Sequence, residues 1–428
     1  MSSPIRQSLA RIRRPFDEFV RAEASGGIML LVGALAATVW ANSPMADSYH
    51  HLWERSFSLG FGAHSLTLSW HMWINDALMA IFFLVVGLEI KREILVGELA
   101  SVRRAALPIL GAIGGMILPA LIFWSITRGT NASAGWGIPM ATDIAFALGA
   151  VTLLGRHVPP GLKIFLAALA IVDDLGAVLV IALFYTPKIN VLALCAVGGL
   201  MLLLIALNWL NVNRALPYVV IGLLLWFAVF ESGLHATIAG VLLALTIPAS
   251  VGKRNVKSIS AETLSMASDN ASNTNDHSDS LLARFEHALH RLVAFGIMPL
   301  FALANAGVGL QENLGTLIRQ PEVLAVAGGL LIGKPVGITL FSWIGVRANV
   351  AQLPALASWR QLIGVATLGG IGFTMSLFIG GLAYGESIEL TGAKIGVLGA
   401  SLLAGILGCL ILRMGRSPHS STQPSTEA

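Results

Sequence analysis

Residues 163–185 read KIFLAALAIVDDLGAVLVIALFY, an almost unbroken apolar run with two adjacent aspartates, Asp173 and Asp174, near its middle. Coiled as a helix, a run of this length crosses the hydrocarbon of a bilayer. An ionised carboxylate at that depth costs roughly 2.5–3.5 kcal/mol even on lenient insertion scales, and a neighbouring pair costs more. Folding does not require that expense. The pair therefore reads as a site for a cation, a proton or both.

The rest of the chain has the same character. Its 428 residues are 55% hydrophobic and 12% charged, with a mean hydropathy of +0.77, whereas an ordinary soluble domain carries about 25% charged residues. The composition specifies an all-α polytopic membrane protein. Apolar runs predict about twelve spans, at 26–42, 72–90, 105–127, 134–154, 161–184, 191–209, 215–231, 233–249, 287–309, 322–345, 361–384 and 392–412. They give one transmembrane domain over 26–413, preceded by a segment 1–25 and followed by a tail 414–428. The long basic stretch before 26–42 favours a retained first helix over a cleaved signal peptide.

Lysines and arginines orient the spans. With both termini cytoplasmic, 21 basic residues fall inside, and only Arg55, Arg128, Lys188 and Arg319 fall outside. The net charge of +4 and pI near 9.3 thus reflect arginines along one membrane face, and no nucleic acid partner is implied. Cys195 and Cys409, both in apolar runs, read as small buried hydrophobes without a disulfide framework. Two soluble segments between the spans stand out. Residues 44–70, on the exterior, contain ERSFSLGFGAHSLTLSW, whose alternating pattern around a Gly-rich turn predicts a β-hairpin. An isolated hairpin is marginal in water, so it should pack on its own bundle or on a second copy. Residues 250–285, rich in Ser, Asn and Asp, read as a disordered cytoplasmic loop.

Further polar groups interrupt the apolar runs. Asp143 lies in ASAGWGIPMATDIAFALGA, where Gly135, Gly137 and Pro139 predict a broken helix. The first N–H groups of a half-helix carry partial positive charge that the Asp143 carboxylate would balance, with Thr142 offering an oxygen ligand. Lys334 stands far from either end of AVAGGLLIGKPVGITLFSW. Too deep to snorkel, it should pair with a carboxylate or with carbonyls at a helix C-terminus. Gly369, Gly370 and Gly372 mark a second candidate break in VATLGGIGFTMSLFIGGLAYG. A break in span four beside a charged span five, matched by Lys334 in span ten and a break in span eleven, suggests inverted repeats of spans 3–5 and 10–12 around a midplane ion site. Asp76, Glu89 and Glu93 read equally well as gate residues or as polar helix ends. His235, alone near an interface, reads more readily as structural than as a pH sensor, while FEHALHRL gathers Glu286, His287 and His290 into a titratable group.

These residues stand in motifs that resemble the bacterial NhaA-type sodium/proton antiporters: NDALMAIFFLVVGLEIKRE, PMATDIAFALGA, ALAIVDDLGAVLVIALFYT, SGLHATIAG, LIGKPVGI and GIGFTMSLFI. That family is itself a standing example of transporters built from inverted repeats and broken helices. The resemblance, over about 16–415, implies that Asp173 and Asp174 bind the ion (Na⁺ or Li⁺) and the proton. It implies that Asp143 and Lys334 compensate the crossed half-helices of spans four and eleven, with Thr142 at the crossing and Lys334 near Asp173. It places Asp76, Glu89, Glu93, His235, Glu286 and Lys394 at positions tied to funnels, pH response or translocation, and makes the 44–70 hairpin a homodimer contact. The long 250–285 segment departs from the family pattern.

The expected function is an electrogenic, pH-regulated Na⁺(Li⁺)/H⁺ antiporter of the bacterial inner membrane, with no cofactor and no enzymatic reaction. Its nearest rival is a sodium-coupled symporter of an organic anion, for which the spans supply no arginine. An intramembrane aspartyl protease would need its aspartates on separate helices and a GxGD motif, and a DDxxD diphosphate site is excluded by the apolar DDLGA.

Overall fold

Backbone N–H and C=O groups in hydrocarbon have no water to bond, so apolar runs of this chain close their hydrogen bonds within helices. The computed structural model describes residues 25–61, 64–185, 190–249, 280–309 and 314–414. The expected segment 1–25 apart from Ser25, most of the 250–285 loop, and the tail beyond Met414 lie outside the described residues.

Helix α1 (Ser25–Ala41) turns through 115° into α2 (Ala46–Glu54). Strands β1 (Ser56–Phe61) and β2 (His64–Ser69) follow, then α3 (Trp70–Val96) and α4 (Val102–Thr127). A 3₁₀ segment, Asn131–Met140, bends by 42° into α5 (Ile144–Leu154). Next come α6 (Pro160–Phe184), α7 (Val191–Trp209), α8 (Ala215–Glu231), α9 (Ile238–Thr246), α10 (Leu281–Asn305) and α11 (Pro321–Arg347). A third bent pair, α12 (Trp359–Leu368) and α13 (Phe373–Tyr384), meets at 48°, and α14 (Ile388–Met414) closes the described chain. Seven of these helices are long and apolar enough to cross a membrane, or up to ten spans if each bent pair is one. The chain is a multi-pass membrane protein.

Three features differ from what the sequence suggests. Where a span over 233–249 is expected, only Ile238–Thr246 is α-helical. Nine residues reach about 13 Å, well short of a hydrocarbon core of about 30 Å. Gly233, at φ 83°, breaks this segment from α8. The 44–70 segment holds a helix as well as its hairpin: α2 docks through Tyr49, whose hydroxyl donates to the Leu303 and Ala304 carbonyls at 2.9 and 3.2 Å. Burial pushes the Tyr49 phenol up to about 12. The hairpin itself is antiparallel, with Phe57 opposite Leu68 and Leu59 opposite Leu66.

The third difference is a set of π-turns, at Trp73–Leu78 in α3, Val293–Ile297 in α10 and Gly329–Gly333 in α11. The wider turn alters the local carbonyl pattern. In α3 the Asp76 carbonyl accepts from Trp226 Nε1 of α8 at 3.1 Å. Trp73, in the same turn, stacks on Trp226 and donates its Nε1 to the Phe57 carbonyl of β1 at 3.2 Å.

Helices α4 and α11 share the most extensive helix contact among the described residues, and small residues allow it. A Cβ on Gly337 would lie 2.6 Å from the Gly114 carbonyl carbon, and one on Gly333 would lie 2.7 Å from Pro119 Cα. This contact presses α11 inward at Lys334, toward α6 and the two interrupted helices. Buried apolar side chains surround that point, and Asp143, Asp173, Asp174, Lys334, Thr142, Thr374 and Ser376 are all buried within it.

Candidate ion-binding site

Both helix pairs stop at residues that cannot sustain an α-helix through the break. The 3₁₀ segment containing Pro139 ends in extended backbone at Ala141 (φ −85°, ψ 149°). Asp143 is extended too and becomes the N-cap of α5. Helix α12 ends at Gly369, and α13 restarts after Gly372. The two interruptions touch. The Asp143 N–H donates to the Ile371 carbonyl at 2.7 Å, and Thr142 Oγ1 lies 2.8 Å from the Gly369 carbonyl oxygen. Backbone groups freed by each break are thus satisfied partly by the other.

One carboxylate faces both restarting helices. Asp143 Oδ1 accepts from the Phe146 N–H of α5 at 3.1 Å. Its Oδ2 accepts from the Thr374 N–H of α13 at 3.1 Å and from the Thr374 hydroxyl. A helix N-terminus carries the equivalent of about half a positive charge, so an anion between two of them is strongly favoured. Asp143 is 1% exposed. Two hydroxyls complete the junction: Ser376 Oγ donates to the Ile138 carbonyl at 2.7 Å, and the Phe373 N–H donates to Ser401 Oγ of α14 at 3.1 Å.

Asp173 and Asp174 face this junction from α6. Lys334 Nζ donates to Asp173 Oδ2 and to Thr142 Oγ1, the latter at 2.7 Å. Thr142 Oγ1 is also 2.7 Å from Asp173 Oδ2. A hydroxyl accepts from the lysine but has one hydrogen to give, so Thr142 serves either Asp173 or the Gly369 carbonyl at any moment. Of the two partners expected for Lys334, the carboxylate is the one it takes. The C-terminal carbonyl of α12 is reached by Thr142 instead. Among the described residues, Asp173 Oδ1 and Asp174 Oδ1 are buried without a hydrogen-bond partner. Buried acceptors of that kind are rare and call for a ligand, a proton or water.

Asp174 borders a cavity of about 40 Å³ whose walls also carry Asp143, Thr374, Glu89 and His290. A water needs about 10–15 Å³ of such space, so the cavity can hydrate a carboxylate or a small cation. It leads to a second charged cluster between α3 and α10. There Arg92 donates to Glu286 and lies 3.4 Å from Glu93 Oε1, and His290 Nδ1 is 3.8 Å from Glu89 Oε1. Glu93 also accepts from the Glu98 N–H at 3.0 Å.

The structure thus brings Asp143, Thr142, Asp173 and Lys334 into direct contact, sets Asp174 beside them on the cavity, and places Glu89 on the cavity wall next to the Arg92 cluster of Glu93 and Glu286. Asp76, His235 and Lys394 join neither cluster by hydrogen bonds. Asp76 occupies the π-turn of α3, His235 Nε2 lies 2.7 Å from the Tyr185 carbonyl at the end of α6, and Lys394 is half-buried near the start of α14. Sequence reasoning missed Thr374, Ser376 and Ser401. The T-x-S pair one residue after GGIG is the one signal that could have exposed the first two. Among the described residues, no group of three or more His, Cys, Asp or Glu side chains is arranged as a metal cage. A monovalent cation in transit needs no such cage: it is hard, and carboxylate, hydroxyl, carbonyl and water oxygens serve it.

The family model described as "Na+/H+ antiporter 1" matches residues 17–412. The chain is 46% identical to the Na(+)/H(+) antiporter NhaA of Oleidesulfovibrio alaskensis, over 97% of this chain and 98% of the relative. It is 48% identical to the NhaA of Koribacter versatilis, over 96% and 93% of the two chains, and 47% identical to that of Rhodospirillum rubrum, over 96% and 98%. A solved structure, the sodium proton antiporter MjNhaP1 from Methanocaldococcus jannaschii, aligns over 91% of each chain at 15% identity with a TM-score of 0.48.

Proposed function

The chain belongs to the Na⁺/H⁺ antiporter 1 family, and on that premise we propose that it exchanges Na⁺ or Li⁺ for protons at Asp173 and Asp174. The observation that carries this reading is the division of the pair. Asp173 is engaged by Lys334 and Thr142, Asp174 borders a hydratable cavity, and each retains a carboxylate oxygen free of protein donors. Two buried carboxylates this close do not both ionise readily unless a cation joins them. Protons and Na⁺ therefore compete for the same oxygens, and binding one expels the other. Asp143 holds the two half-helices together, and Lys334 balances Asp173 when no cation is bound. Among the described residues, no arginine lines the cavity beside Asp174, which argues against the anion symporter.

The proposed frame is twelve crossings, the eighth made by 233–249 with its nine-residue helix and non-helical flanks, with both termini cytoplasmic, in the bacterial inner membrane, and with spans 3–5 and 10–12 as inverted repeats. The Glu89–His290 end of the cavity then faces the cytoplasm, and the cluster of Glu89, Arg92, Glu93, Glu286 and His290 adjusts activity to internal pH. Protons entering from outside drive Na⁺ out. If both carboxylates release protons for one Na⁺, each turnover moves net charge.

Everted vesicles carrying a preformed ΔpH test the whole reading. Addition of Na⁺ or Li⁺ should collapse the gradient, K⁺ should not, and the response should grow between about pH 6 and 9 as the carboxylates lose protons more readily. An equal response to K⁺ would remove the exchange reading, and a profile flat with pH would remove the regulation. In reconstituted vesicles an imposed potential should change the rate; indifference to it would contradict the net charge movement.

The hairpin is proposed as a homodimer contact. Phe57 is 39% exposed on it, and a two-stranded ribbon needs further packing for stability. Replacing residues 56–69 by a short turn should convert dimer to monomer in mild detergent, as read by light scattering. A dimer of unchanged mass would place the contact elsewhere.

A further inference from the structure

Helix α13 has no cap of its own. Its N-cap residue is Gly372, without a side chain, and its first N–H groups are all buried. Two donors outside the helical ladder, Phe373 N and Thr374 N, are met by different elements: Thr374 by Asp143 from the other interrupted helix, and Phe373 by Ser401 of α14. Ser401 is 7% exposed, and α14 packs along α11, α12 and α13, so the hydroxyl is held where the break needs an acceptor. We infer that Ser401 is a positioning residue for the ion site, a cap supplied in trans that keeps the start of α13 in register with Asp143. The inference rests on the exchange reading above.

The consequence for the site runs through adjacent atoms. Without the Ser401 oxygen, the Phe373 N–H is an orphan in a dry interior, where an unpaired donor is costly. An acceptor already present at the start of α13 is Asp143 Oδ2, which serves Thr374 N–H and its hydroxyl. Drawing that oxygen toward Phe373 loosens Oδ1 on the Phe146 N–H of α5. Residue 142 moves with residue 143, so the Thr142 hydroxyl shifts relative to Asp173 and Lys334. Ser401 touches neither the transported ion nor the aspartate pair, so its effect should fall on apparent ion affinity, with insertion and fold retained.

The experiment compares the full chain with Ser401→Ala, Ser401→Thr and Ser401→Cys in reconstituted vesicles. It reads the half-saturating Na⁺ and Li⁺ concentrations, the maximal rate, and the thermal midpoint of each purified protein. Ser401→Ala should raise both half-saturating concentrations roughly tenfold, the scale of one lost buried hydrogen bond. Ser401→Thr, which keeps the hydroxyl, should return them to within about twofold of the parent, as expected for a preserved cap. If Ser401→Ala fails to accumulate, Ser401→Cys replaces it, a weak acceptor of similar size that should show the same direction of change. Parent-like half-saturation in whichever of these two is measured overturns the inference, as does a lowered thermal midpoint with unchanged affinity. Failure of the parent itself to exchange Na⁺ for protons overturns the underlying function instead.

Discussion

Asp173→Asn and Asp174→Asn are each expected to lower Na⁺- and Li⁺-driven proton exchange by roughly a hundredfold or more, a loss of about 2.8 kcal/mol or greater. Asparagine keeps the shape and one oxygen of the carboxylate but neither releases a proton nor carries the charge that favours a cation. Both halves of the exchange therefore fail at one atom. The two variants should differ in what remains. In Asp173→Asn the neutral amide still faces the buried Lys334 ammonium, which then loses its charge-balancing partner, whereas Asp174→Asn leaves the Lys334–Asp173 pair intact. Exchange is read in vesicles at matched protein content, with thermal unfolding as the control for folding. Exchange within a few-fold of the parent in either variant, at full protein content, would sink competition at the pair as the mechanism.

The second large effect concerns stability. Lys334 and Asp173 are both fully buried and in contact. Removing one member of such a pair leaves an uncompensated buried charge, at about 3–5 kcal/mol, whereas replacing both by neutral groups is often far milder. Lys334→Met should therefore lower the thermal midpoint sharply, and the double variant Lys334→Met/Asp173→Asn should recover much of that loss while staying inactive. The pair belongs in a double-mutant cycle, because its members share a network with Thr142. Additive losses in the cycle would show that the contact contributes little to the folded state.

The helices were legible because their lengths and apolar content are set by the bilayer, a constraint that acts on each segment separately. The breaks were suggested by Gly135, Gly137, Pro139, Gly369, Gly370 and Gly372, which weaken a helix interior, although α4 carries Pro108, Pro119 and three buried glycines without a break. The charges Asp143, Asp173, Asp174 and Lys334 stood out against an apolar background too costly for accidents. What stayed hidden depends on partners distant in sequence. The π-turn at Trp73–Leu78 coincides with a bond from Trp226 to the Asp76 carbonyl, and no local pattern announces it. Thr374, Ser376 and Ser401 look like any hydroxyl in a membrane helix, where bonding to the carbonyl one turn back is the ordinary outcome. Only the fold shows that Thr374 and Ser401 face Asp143 and Phe373. The short α9 was missed because an apolar run of span length says nothing about a turn at Gly233.

The single carboxylate between two helix starts also bears on how such a site can change over generations. Asp143 serves Phe146 on one helix and Thr374 on the other, so one substitution at that position strips both at once. A lineage drifting away from aspartate there has no half-step: any replacement must arrive with new partners for two backbones. The two interruptions, far apart in the chain, are in this respect a single heritable character. They would be kept together, or lost together.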